Sequence, residues 1–295
     1  MTFGESLLEW TMADSAVDHA RGSVAPALAP TAADAGRVAA AVLVCGAAVL
    51  LFAAHVRPWG YVPLLAGVVL AWGIDRILAR HLALIALGQI IISTISLKAD
   101  LSDAGIARFV VVFGLAVLVP FAISRWAWGE RIIRFPMRGG WPWTRAQWAY
   151  IGVVIVAGYL ILPFYFIGSG AYRNWPDVSG SNEIARLFVG VNAVGIWDEL
   201  FFVATVFTLL QRHFPVWLAN LLQAAVFASF LWELGYREWG PLLTVPFALI
   251  QGWIFSWAKS LPYVITVHLL FDAVVFAVLV HAHRPELLDI FVTAP

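Results

Sequence analysis

The chain has 295 residues, of which 62% are hydrophobic and 12% are charged, with a mean hydropathy of +0.85 and a formal net charge of zero. A soluble domain carries roughly 25% charged residues, so this composition indicates a polytopic helical membrane protein. The zero net charge argues against a nucleic-acid partner, and the single cysteine, Cys45, excludes an internal disulfide framework or a thiolate metal cluster.

The first 35 residues are mixed in character, acidic, and rich in Ala and Pro. They have no basic start followed by an apolar core and a cleavage site, so we expect no signal peptide. The pattern favours a short amphipathic helix near residues 3–12 followed by a linker.

Nine apolar segments of about 20 residues follow, and this is the length that a helix needs to cross a bilayer. The third, 81–98, is short and carries Gln89. We therefore predict an all-α membrane bundle of eight or nine transmembrane helices, with N-terminal helices and a basic loop in 36–146 and a core in 147–295. The predicted spans are 36–56, 60–78, 81–98, 104–126, 147–168, 184–212, 216–234, 242–259 and 261–282.

The loop at 125–146 sets the predicted orientation, because Lys and Arg accumulate in cytoplasmic loops. It contains a single acid, Glu130, and we expect it to be cytoplasmic. Loops 169–183 and 235–240 then lie on the other side, and nine spans put the N-terminus inside and the C-terminus outside. The arginines of this loop are Arg125, Arg131, Arg134, Arg138 and Arg145.

Ionisable residues recur within the predicted spans of the second half, at Asp198, Glu199, Glu233, His268 and Asp272. Each charged group near the bilayer centre costs roughly 2.5–3.5 kcal/mol, so several together are tolerable only if they face one another or a wet cavity. Alternatively, the adjacent acids Asp198 and Glu199 have a structural role and join helices through hydrogen bonds.

Helical spacing favours convergence of these residues. His268 and Asp272 are four apart and share a face, and Asn192 and Glu199 are seven apart and also share one. We therefore take Glu199, Asp198, His268 and Asp272 as catalytic candidates, with Glu233 and Asn192 as possible accessory residues. For Glu233, a simple ion pair with Arg237 is an equally good interpretation.

Three motifs give the second half a family resemblance. They are "DELFFV" at 198–203, "FASFLWE" from residue 227, and "HLLFD" at 268–272. In order and spacing they resemble the CPBP family of intramembrane proteases, which includes CAAX prenyl endopeptidases and bacteriocin-processing or immunity homologues. That family shows Glu-Glu-x-x-x-Arg, Phe-x-x-x-His and His-x-x-x-Asn/Asp, and the resemblance covers roughly residues 147–282.

The sequence departs from the family pattern at three positions. Asp198 stands where the family has its first Glu, Val203 replaces the Arg, and Leu231 occupies the His position of the second motif. Glu233 does not inherit that role, because two residues along a helix point to a different face. Asp272 is an accepted variant at the end of the third motif.

The resemblance implies an endopeptidase in which a glutamate deprotonates a water molecule and the later histidine stabilises the oxyanion. It implies a peptide or membrane-protein substrate and, with membrane lipids as the other partner, a multi-pass location in a bacterial inner membrane. No cofactor is expected, although a divalent metal at Asp198, Glu199 and His268 stays open as an alternative. The rival functions are a non-catalytic scaffold or immunity protein and a transporter or proton relay.

Overall fold

The structure, a computed structural model, describes residues 32–137 and 142–293. The predicted amphipathic helix near residues 3–12 lies outside these ranges. Within them the regular secondary structure is helical and there is no strand, which confirms the predicted all-α class.

Nine long helices make up the described part of the chain, and each overlaps one of the nine predicted spans, the third with a shift of about six residues towards the N-terminus. Seven of them are long and apolar enough to cross a membrane, whereas α2 and α3, with 18 and 17 residues, are not among the seven. The helices are α1 (Ala32–Ala53), α2 (Arg57–Ile74), α3 (Arg76–Ile92), α4 (Asp103–Ala127), α5 (Arg145–Gly168), α6 (Ser181–Gln211), α7 (Val216–Leu234), α8 (Pro241–Ala258) and α9 (Leu261–His283).

Side-chain caps fix where several of these helices begin. Asp75 accepts hydrogen bonds from the backbone N–H groups of Ile77 and Leu78, at 2.9 and 3.1 Å, and so separates α3 from α2. At the start of α5, Thr144 and Gln147 form a reciprocal capping box. Such caps satisfy the N–H groups that the first turn of a helix leaves unpaired.

The basic loop defines one face of the bundle, here named the arginine-rich face. His81 of α3 lies 3.0 Å from Glu130 of this loop, measured from Nε2 to Oε2. The backbone N–H of Leu261, at the start of α9, donates to the carbonyl of Pro136 at 3.2 Å. These contacts bring the starts of α3 and α9 to the same side as the basic loop.

The other helix ends meet at the opposite face. Arg57, which begins α2, donates to Glu233 near the end of α7 at 3.3 Å. Arg186, in the second turn of α6, donates to Asp103 at the start of α4 at 2.6 Å. Helix ends therefore alternate between the two faces along the chain, as expected for a polytopic bundle.

Helix α6 is the most buried of the seven long apolar helices and changes its winding halfway. From Glu199 to Phe207 it is a π-helix, with nine residues at the wider i→i+5 spacing. Thr205 and Thr208 adopt the same spacing, since their hydroxyls donate to carbonyls five residues earlier. π-Helical segments occur frequently at functional sites, and this one begins at the paired acids.

Candidate active site

Two helices supply the candidate site. Helix α6 carries Asp198 and Glu199 at the junction of its α and π parts, and α9 carries His268 and Asp272 one turn apart. All four side chains are buried, with 1–4% of each residue exposed. The structure therefore brings together all four residues that the sequence named as catalytic candidates.

Glu199 holds the imidazole of His268 in place. Its Oε1 lies 2.7 Å from Nδ1 of His268 and accepts a second hydrogen bond at 2.8 Å from Nε2 of Gln251. Because carboxylate oxygens are acceptors, this network assigns a proton to Nδ1 and turns Nε2 of His268 away from Glu199. Gln251 is itself fixed, since it also donates to the carbonyl of Val264 at 3.2 Å.

The two aspartates flank the other ring nitrogen of His268. Nε2 lies 3.8 Å from Oδ2 of Asp198 and 3.9 Å from Oδ1 of Asp272. These distances are too long for direct hydrogen bonds, and the second oxygen of each aspartate is buried without a partner. The three groups therefore surround a small polar hollow with unused hydrogen-bonding capacity.

Gly195 allows the two helices to approach at this point. A Cβ atom at this position would lie 2.0 Å from Oδ2 of Asp272 and 3.2 Å from Cδ2 of His268. Gly195 is one turn before Asp198 on α6, so its bare backbone makes room for the α9 carboxyl. The absence of this side chain thus lets Asp272 reach the cluster.

A cavity of about 570 Å³ ends at the cluster. Asp198, His268 and Asp272 line it, whereas Glu199 does not. Most of its wall is apolar, from α4, α6, α7 and α8, and the buried loop residue Tyr236 also lines it. Burial raises the pKa of Tyr236 well above its usual range, with the nearby Asp272 adding to the effect, so its phenol stays neutral.

The accessory candidates lie elsewhere. Asn192 is partly exposed and donates to the carbonyl of Phe188 on its own helix at 2.7 Å. Sharing a face with Glu199 does not bring them together, because seven residues separate them by about 10.5 Å along the axis. Glu233 accepts from the N–H of Leu97 at 3.1 Å and from Arg57, so it pairs neither with Arg237 nor with the cluster.

Two of the motif positions are filled by apolar side chains that offer no proton. Leu231, at the family's second histidine position, lines the cavity and is 6% exposed. Val203, at the family's arginine position, lies in the π segment of α6 and is buried. The structure thus leaves His268 as the imidazole that lines this cavity.

The sequence left open a divalent metal at Asp198, Glu199 and His268, and such a site requires that these side chains point to a common centre. Glu199 directs Oε1 to Gln251 and His268 instead of to the cavity. Among residues 32–137 and 142–293, no group of three His, Cys, Asp or Glu side chains has the arrangement to hold a metal ion. Glu199, Gln251 and His268 are thus arranged as a hydrogen-bonding network.

Gln251 is the site residue that the sequence analysis missed. It lies on α8, 52 positions from Glu199, and it belongs to none of the three motifs. Its signal in the sequence is a single amide in an otherwise apolar span, "TVPFALIQGWIF". Buried amides need hydrogen-bond partners, so this position indicated a polar neighbour without identifying it.

Comparison with known families gives an indication of function that is independent of the site geometry. Residues 180–274 match the family model described as Type II CAAX prenyl endopeptidase Rce1-like. This part of the chain is therefore similar to the CPBP-type proteases that its three motifs resemble. The matched segment runs from the start of α6 into α9 and contains all four clustered residues, and the similarity supports a membrane endopeptidase of this type. No curated protein and no solved structure matched the chain.

Proposed function

We propose that the chain is an intramembrane endopeptidase in which Asp198, His268 and Asp272 act on a peptide bond at the end of the cavity. One observation carries this proposal. Two aspartates lie 3.8 and 3.9 Å from Nε2 of His268 at the polar end of an otherwise apolar cavity, inside the segment that is similar to CPBP-type proteases.

The proposed base is Asp198. Its carboxylate takes a proton from a water molecule in the hollow beside His268, and the water oxygen attacks the carbonyl carbon of the substrate. The same proton then passes to the amide nitrogen as the C–N bond breaks, so the acid ends the cycle as a carboxylate. Asp272, on the other side of the hollow, accepts the second hydrogen of the water and orients it.

The proposed oxyanion donor is His268. A ring with a proton on each nitrogen donates one to Glu199 and the other, from Nε2, to the developing oxyanion. The neighbouring carboxylates offset the positive charge of such a ring. One hydrogen-bond donor that is held in place in a water-excluded site stabilises the transition state by roughly 2.7–4 kcal/mol, because the donor does not have to reorient during the reaction.

Glu199 has a different role from the one that the family resemblance implies. It does not line the cavity, and its Oε1 is occupied by Gln251 and His268. Adjacent residues on a helix point about 100° apart, so Asp198 faces the cavity while Glu199 faces α8 and α9. We assign Glu199 as a positioning residue and Asp198 as the acid that contacts water.

A non-catalytic protein built on the same core is the second candidate. Leu231 and Val203, in place of two polar residues of the motif set, favour it. In that case the cluster serves helix packing, and the buried carboxyls contribute mainly to stability. The two functions therefore predict different effects of a conservative substitution at Asp198 on peptide cleavage and on thermal stability.

The experiment is cleavage of a library of peptides with apolar segments, reconstituted with the protein in liposomes and read by mass spectrometry. The wild type is expected to cleave a subset, and Asp198→Asn and His268→Gln to reduce cleavage at least 10²-fold with little change in thermal stability. The control is Asp289→Asn, whose side chain is 82% exposed near the C-terminus. Reduced stability in the cluster variants without any wild-type cleavage would favour the non-catalytic protein.

We further propose the bacterial inner membrane as the location, with lipids and a peptide or membrane-protein substrate as partners. The bacterial members of the resembling family and the arginine bias of the basic loop support this location. Co-sedimentation with inner-membrane markers on a density gradient tests it, and recovery in another fraction would refute it.

A further inference from the structure

We infer that the cavity opens on the opposite face, away from the basic loop, and admits apolar segments of membrane-anchored chains from the extracytoplasmic side. The side of access is independent of the proposed function, whereas the identity of the segment as a substrate rests on it.

The polar residues at the mouth of the cavity all lie at the opposite face. Asp100 is in the loop between α3 and α4, and Asn182 and Arg186 are in the first two turns of α6. Arg186 donates to Asp103 at 2.6 Å and to the carbonyl of Leu101 at 3.0 Å, so it ties this rim together. None of these groups is near the basic loop.

The cavity follows α6 from this mouth towards the middle of the bundle. Asn182 and Asp198 both line it, and 16 residues of α-helix between them correspond to about 24 Å. Beyond Asp198 the π segment closes the path, because Phe202, Val206 and Phe207 are each 0% exposed. Access from the arginine-rich face is thus blocked by packed side chains.

The charge distribution assigns the two faces to the two sides of the membrane. Lys and Arg concentrate in short loops on the cytoplasmic side, and the basic loop carries the strongest such concentration. Arg212, after α6, and Lys259, after α8, lie at the same face. The face with the cavity mouth is therefore extracytoplasmic.

Part of the cavity wall is also in contact with lipid. Val110 of α4 and Val189 of α6 line the cavity, and they are 68% and 64% exposed. In a membrane-spanning bundle, apolar side chains with such exposure face hydrocarbon, so the cavity borders the bilayer between these two helices. An apolar chain segment can enter there while its polar flanks stay at the rim near Asp100 and Arg186.

Single-cysteine labelling in intact cells tests the side of access. Ala185→Cys is near the mouth and Ala193→Cys is about 12 Å deeper, and both alanines line the cavity and are exposed. A membrane-impermeant maleimide added outside is expected to label both. The blank is the wild type, whose one cysteine, Cys45, is 0% exposed.

Two further variants serve as matched controls. Met137→Cys, 60% exposed in the basic loop, is expected to react only after permeabilisation. Leu118→Cys, 60% exposed on α4 outside the cavity, is expected to stay unlabelled because maleimides react poorly in lipid. Labelling of Met137→Cys in intact cells, with Ala185→Cys labelled only after permeabilisation, would overturn the inference. So would the absence of labelling at both cavity positions under either condition.

The nature of the occupant is tested in proteoliposomes with a single-span leucine-rich peptide as the probe. The peptide is expected to slow labelling of Ala193→Cys several-fold, whereas an equal concentration of a soluble polar peptide is expected to leave it unchanged. Equal rates with and without the apolar peptide would refute the assigned occupant. Labelling does not require cleavage, so an inactive protein would refute the proposed function while leaving these results intact.

Discussion

Gly195→Ala tests the geometry of the cluster with one methyl group. The added Cβ would lie 2.0 Å from Oδ2 of Asp272, so the carboxyl has to move by about 1 Å or more to reach ordinary contact. Displacements of this size at a reacting centre cost on the order of 10²-fold in rate. Folding is affected less, because the gain of about 1 kcal/mol from Ala over Gly in a helix offsets part of an overpacking cost of about 1–3 kcal/mol.

The assay compares peptide cleavage in proteoliposomes with thermal unfolding in the same preparation. The matched control is Gly152→Ala on α5, where an added Cβ meets nothing within 4 Å, and full activity is expected. A Gly195→Ala protein that cleaves at the wild-type rate would refute the assigned role of Asp272. A variant that fails to fold would show that the contact supports the fold, and Asp272→Asn, which keeps the side-chain volume, then tests the catalytic role.

Four further outcomes are expected. Gln251→Leu should destabilise the protein by about 1–3 kcal/mol in thermal unfolding and alter the His268 ring resonances, since Glu199 loses a donor. Glu233→Leu should lower stability by a similar amount, because the N–H of Leu97 loses its acceptor, while residual cleavage per folded molecule stays unchanged. Leu231→His should increase cleavage by restoring the family's second imidazole in the cavity, and no increase would show that this position is not limiting. Burial, with His81 alongside, lowers the pKa of His213 to about 4, so unfolding scans should show stability falling from about pH 6.5 towards pH 4, and His213→Gln should reduce that slope.

The helical architecture was predictable because bilayer crossing demands a length and an apolarity that are visible in the sequence. The nine predicted spans correspond to α1–α9, and even the short third span is a helix, shifted to Arg76–Ile92. The shift has a local cause, since Asp75 caps the start of this helix. Helix caps of this kind are harder to identify in a sequence than apolar segments are.

The convergence of the polar residues was also predictable, because lone ionisable groups in a bilayer are too costly to leave unpaired. Their individual roles were not, since these depend on orientation. Asp198 and Glu199 are neighbours, yet one faces the cavity and the other lies behind His268. Gln251 escaped notice because its partner is 52 positions away and no local pattern encodes that contact.

Glu233 also shows that local spacing does not identify long-range partners. Its four-residue spacing to Arg237 suggested a local pair, but the described structure pairs it with Arg57, 176 positions away, and with the backbone of Leu97. Helix α7 ends at Leu234, so Arg237 is no longer on the helix and the i,i+4 geometry does not apply. Where a helix ends therefore decides such pairs.

The most direct test of the central claim is ¹⁵N NMR of the His268 ring in lipid nanodiscs, with the signal assigned by its loss in His268→Gln. The account predicts a protonated Nδ1 whose resonance moves in Glu199→Gln, and an Nε2 resonance that moves in Asp198→Asn and in Asp272→Asn. Glu233→Gln, on a separate network, should leave both resonances in place. An Nε2 resonance unaffected by either aspartate substitution would contradict the existence of a shared site.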